Sequence, residues 1–132
     1  MISTIMCGTT PVRFEATLGT QALYEEYTGK SLIDEYSIFQ QYKDTNFENV
    51  TGADIAHVID ILTKLAFVMK IQAEAKGETT LDKIRNIRSR LNADELLAWQ
   101  LDLEPDALNF ETLNKILNLW NASAGTHTDA KN

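Results

Sequence analysis

A chain of 132 residues is one domain's worth of polypeptide, long enough to bury roughly two-thirds of its unfolded surface around a single core. With 44% hydrophobic and 23% charged residues the composition is that of an ordinary globular protein, and a net charge of -7 sets the chain against nucleic acid and anionic membrane unless its basic residues gather in one patch. The single cysteine, Cys7, excludes an intrachain disulfide and fits a reducing compartment.

In chain order, the first element reads as a β-hairpin over about residues 2–16. Ile2 to Cys7 is apolar and β-branched, Gly8-Thr9-Thr10-Pro11 is a turn cluster, and Val12, Phe14 and Ala16 alternate with Arg13, Glu15 and Thr17. A lone hairpin is marginal in water, so it has to pack on something helical. Cys7, in its apolar run, reads as a small buried hydrophobe. The N-terminus lacks the basic stretch and long apolar core of a secretory leader.

A short helix follows over about Leu18 to Thr28, with Leu23 and Tyr27 on one face, Glu25 and Glu26 facing out, and Gly29 closing it. Ser31 and Asp34 resemble a capping box opening a second helix with Leu32, Tyr36 and Phe39 on one face, fading near Lys43. Asp44 to Val50 reads as a polar loop.

The longest helix is predicted over about residues 52–76. Ile55, Val58, Ile59, Leu62, Leu65, Ala66, Met69 and Ala73 form its stripe, Ile61, Val68 and Ile71 widen it, and Gly77 stops it. A helix apolar over more than half its circumference belongs at the centre of the fold. Its charges at Asp60, Lys64, Lys70 and Glu74 forbid a bilayer span.

Leu81, Ile84, Ile87 and Leu91 mark a further helix. Asn92 caps another, carrying Leu96, Leu97, Trp99 and Leu101, which Glu104-Pro105-Asp106 breaks. Asn109 caps a last helix with Phe110, Leu113, Ile116, Leu117 and Trp120 on one side. The expected fold is mainly α: a hairpin packed on five to six helices, forming one domain over 1–121, with a disordered tail over 122–132.

Little chemistry is legible. Asp54, His57 and Asp60 share one helix edge, but no second ligand cluster supports them, so no metal is expected. No glycine spacing fits a phosphate cradle, and no nucleophile motif is present. The expectation is a binding protein without catalytic residues or cofactor. Lys83, Arg85, Arg88 and Arg90 cluster, but over several faces of one helix, and read as solvated surface. Trp99 lies off the Leu97/Leu101 line and nearer the Leu96/Leu103 edge; core packing is the default for it and for Trp120, and with Leu113, Leu117 and Trp120 it is also a candidate for partner contact, since aromatic side chains anchor interfaces.

The hairpin with Val12-Arg-Phe-Glu15, the step Ala22-Leu-Tyr-Glu-Glu-Tyr-Thr-Gly-Lys-Ser-Leu32, the long apolar helix, Asn92-Ala-Asp-Glu-Leu-Leu-Ala-Trp99 and the closing Leu113-Asn-Lys-Ile-Leu-Asn-Leu-Trp-Asn-Ala-Ser123 together resemble the tail assembly chaperones of long-tailed phages and prophages, particularly of Gram-positive hosts. The resemblance covers most of the chain. The segment Leu81 to Leu91 is extra relative to the shortest members.

The resemblance implies a protein of the host cytoplasm, absent from the mature virion, that binds the tape measure protein and keeps it soluble. It also implies a longer frameshifted form that engages the tail tube protein. Many copies per client imply self-association into a homo-oligomer. Neither nucleic acid nor membrane is an expected partner. The final Ala130-Lys131-Asn132 is compatible with the codons GCA-AAA-AAC, which contain a slippery run, so Lys131 and Asn132 mark a candidate frameshift junction that the codons themselves decide. The alternatives are another small phage or bacterial interaction adaptor and, more weakly, a DNA-binding regulator using the Lys83 to Arg90 helix.

Overall fold

The computed structural model describes residues 1–35, 37 and 52–124. Strands β1 (Ile2–Cys7) and β2 (Thr10–Glu15) pair antiparallel, with Cys7 opposite Thr10 and Ile2 opposite Glu15. The turn is tighter than the four-residue cluster expected: only Gly8 and Thr9 connect the strands. Among the two, φ is positive at Gly8 alone (65°), the pattern of a type II′ turn. Thr10 and Pro11 therefore belong to β2. Proline is tolerated there because its nitrogen, at the pair next to the turn-flanking one, points away from β1. The period of two buries Ile5, Cys7, Val12 and Phe14 on one face.

Helix α1 (Thr20–Thr28) closes at Gly29, left-handed at φ 73°, whose N–H bonds the Glu25 carbonyl. Residues 32–35 are again helical, with the Asp34 N–H bonding Ser31 Oγ at 3.3 Å. The expected continuation through Tyr36 and Phe39 to Lys43, and the loop Asp44 to Val50, lie outside the described residues.

Helix α2 (Gly52–Glu74) is the central element. From Ile61 to Gln72 every residue but Lys64 and Lys70 is buried, since β2, α1, the helix that follows in the chain and the last helix all pack around it. Ile61, Val68 and Ile71, residues that only widen the stripe in the sequence pattern, are as fully buried as Leu65, Ala66 and Met69 of the stripe itself, while Ile55, Ile59 and Ala73 are half-buried. The helix ends two residues before the expected Lys76. Gly77 does not stop it: a Cβ there would stand 2.5 Å from the backbone nitrogen of Lys83, so glycine is needed for the close approach of the next helix.

Helix α3 (Thr80–Arg90) starts on Thr79, whose hydroxyl accepts the Asp82 N–H at 3.1 Å. Helix α4 (Ala93–Asp102) starts on Asn92, whose Oδ1 accepts the Glu95 N–H at 2.9 Å. After the turn at Pro105–Leu108, Asn109 does the same for Thr112 at 2.9 Å and opens α5 (Phe110–Ala124). The last helix runs to Ala124, three residues past the boundary expected for the folded region. Residues 125–132, with Lys131 and Asn132, lie outside the described residues.

The hairpin lays its apolar face across two helices, β2 on α2 and β1 on α5. Phe14, Tyr24, Leu32, Phe67, Leu113 and Ile116 are fully buried between them, each stabilising the fold by roughly 1.5–3 kcal/mol through lost apolar surface. Two sets of polar side chains bond to each other inside. The Gln72 amide accepts from Thr20 Oγ1 at 2.8 Å and donates to Thr17 Oγ1 at 3.2 Å, fastening the start of α1 to the central helix. Buried Tyr24 donates to the Glu35 carboxylate at 2.5 Å.

Candidate partner-binding surface

Trp99, Leu113 and Trp120 are buried and Leu117 is partly so; all four belong to or pack against the core of the chain itself. Trp99 is 6% exposed. Its ring stacks on Phe67 at 6.2 Å and meets Phe14 edge-on at 6.4 Å, with the Lys70 ammonium 5.6 Å from the ring centre. The side of α4 that carries Leu96 and Trp99, with Leu103 just past its end, thus faces the core. Leu97 and Leu101, one turn apart, face solvent, Leu101 at 75% exposure.

A surface that no single segment announces lies between α1 and α3. Ala22 and Leu23 of α1 face Ile84 and Ile87 of α3 across a groove of about 380 Å³ whose exposed area is mostly apolar. Two ion pairs bracket it. Lys83 reaches Glu15 at 3.1 Å, and Arg88 takes the Glu26 carboxylate with two nitrogens, at 2.8 and 3.2 Å. Leu18 and Leu81, next in sequence to the groove residues Gly19 and Thr80, are strongly exposed. The groove joins elements some sixty residues apart, and only the unmatched apolar residues Leu18 and Leu81 hint at it in sequence. Glu25, expected to face out with Glu26, instead turns along α1 and accepts the N–H of Leu32 at 3.0 Å.

The basic cluster of α3 is neutralised residue by residue. Besides Lys83 and Arg88, Arg85 pairs with Asp82 at 3.2 Å, and Arg90 with Glu74 at 2.7 Å and Glu95 at 3.6 Å. Glu74 also holds Lys70 at 2.9 Å. Burial pushes its carboxyl up, but the bonds from Lys70 and Arg90 outweigh this and leave it below the usual range.

His57 is exposed and Asp60 pairs with Lys64 at 3.1 Å. Among the described residues, no group of three or more His, Cys, Asp or Glu side chains converges to hold an ion. Cys7 is fully buried, and burial pushes its thiol up to about 11. At the hairpin turn, Glu104 accepts from the backbone N–H of Thr9 at 2.7 Å and from the Thr9 hydroxyl. These bonds hold its carboxyl below the usual range.

Comparison of the chain with family models, with curated proteins and with solved structures finds no match. Among the described residues no helix is long and apolar enough to cross a membrane.

Proposed function

We propose that this protein is a tail assembly chaperone of a long-tailed phage or prophage, acting in the host cytoplasm and leaving before the virion is complete. Its client is the tape measure protein, a long helical chain with apolar stripes that aggregates unless they are covered. The observation that carries the reading is an apolar groove between α1 and α3, on the surface of a chain of net charge -7. An amphipathic client helix seats apolar side chains against Leu23 and Ile84, and the negative charge of the chaperone keeps the complex dispersed. The segments that carry the family resemblance support it: Val12 to Glu15 falls on β2, Thr28-Gly29 closes α1, Asn92 caps α4 and Leu113 to Ser123 lies within α5.

The ion-paired state of Arg85, Arg88, Arg90 and Lys83 weighs against the regulator alternative, because cations already holding carboxylates offer little to a phosphate backbone. Coexpression tests the proposal. Tape measure protein should stay soluble with this chain and aggregate without it, and Leu23→Glu with Ile84→Glu should remove the protection. Equal solubility with and without the chain would sink the proposal.

A further inference from the structure

The two edges of the hairpin differ. On β2, the residues whose backbone groups point away from β1 are Pro11, Arg13 and Glu15: one lacks an N–H and two are charged, all devices that discourage further strand pairing. On β1 the corresponding residues are Ile2, Thr4 and Met6, with neither proline nor charge. Among the described residues, none of the hydrogen bonds between backbone groups of different elements engages these three. Ile2 and Met6 are 50% and 53% exposed, and Thr4 is exposed as well. A groove of about 530 Å³ runs between this edge and the flank of α5 at Lys115, Asn118 and Leu119.

We propose that the β1 edge joins two copies of this chain, β1 pairing antiparallel with β1 of the second copy about a two-fold axis through Thr4. Two observations select a second copy as the occupant. The first is charge. At net -7 two copies repel, so their contact has to fall on a neutral strip, and Met1 to Cys7 carries no charged side chain. Lys115 and Glu111, the nearest charges on α5, are of opposite sign and pair at 3.6 Å.

The second is symmetry. A two-fold interface needs a self-complementary patch. The outward series Ile2, Thr4, Met6 is apolar, hydroxyl, apolar in either direction, so the pairing sets Ile2 opposite Met6 twice and Thr4 opposite itself. The product is a four-stranded sheet whose outer edges are both the protected β2, in place of a two-stranded sheet of marginal stability.

The test uses the full chain and does not depend on the client. Light scattering after size exclusion should give twice the chain mass. Thr4→Lys, which sets two ammonium groups against each other across the axis, should weaken the dimer at least about tenfold, with the helical circular dichroism unchanged. Thr4→Cys should form an intermolecular disulfide on mild oxidation, because paired strands hold opposite Cα atoms about 5.5 Å apart. A chain that stays monomeric up to its solubility limit overturns the proposal. So does a dimer that survives Thr4→Lys and is not cross-linked through Thr4→Cys.

Discussion

Trp99 joins the hairpin to the central helix. It touches Phe14 of the hairpin and Phe67 of the central helix, and Lys70 lies over it. Removing it opens a cavity between the rings of Phe14 and Phe67. Trp99→Ala should therefore cost about 3–5 kcal/mol, read as a lowered urea midpoint. Cys7 makes a second prediction at this scale. A thiol with no exposed surface and a pKa pushed up to about 11 is neither accessible nor ionised at neutral pH. A thiol reagent should leave the native protein unlabelled and label it fully in denaturant; rapid native labelling would place Cys7 elsewhere.

Between elements, the tightest approach is that of Gly77 to the first turn of α3. A methyl group there meets the backbone nitrogen of Lys83 at 2.5 Å and the carbonyl carbon of Asp82 at 2.8 Å. Backbone atoms in a capped helix do not step aside, so Gly77→Ala should destabilise by about 1–3 kcal/mol in thermal or urea melts. The requirement was invisible in the sequence, where Gly77 reads as a helix stop. The elements themselves were legible because their signals are local. Alternation marked β2, Gly29 marked the end of α1, and Asn92 and Asn109 each sit where a helix begins. What each face meets was not legible. Leu97 and Leu101 share a helical line as a buried pair would, yet the side of α4 that turns inward is decided by where Phe14 and Phe67 stand. For the same reason the groove between α1 and α3 escaped the sequence pattern, whereas Trp99, for which core packing is the default reading, is buried.

On the scale of the whole molecule, an exposed clasp ties the segment between α4 and α5 to the hairpin: Glu104, beyond α4, holds the hairpin turn through Thr9. Its carboxyl is held below its ordinary value by these bonds. A depressed carboxylate adds stability above its unfolded pKa, near 4.5, and that contribution is lost as pH falls through the lower folded value. The urea midpoint should drop as the solution is taken below about pH 4.5, and Glu104→Gln should flatten part of that drop. The remainder belongs to carboxylates such as Glu74, lowered in the same direction by Lys70 and Arg90. An unchanged acid profile in the variant would show that the clasp carries no linkage.

The position of the hairpin also sets an order of events during synthesis. Its strands leave the ribosome before the helices that cover them: β2 waits for α2 and for Trp99 of α4, and β1 waits for α5. Local pairing takes microseconds, whereas synthesis adds only about 5–20 residues each second. The apolar face formed by Ile5, Cys7, Val12 and Phe14 therefore waits for seconds before its last cover arrives. The hairpin is made before the helices described here and is the last of these elements to be fully buried, and a nascent chain stalled before Phe110 should bind a hydrophobic dye that the finished protein excludes.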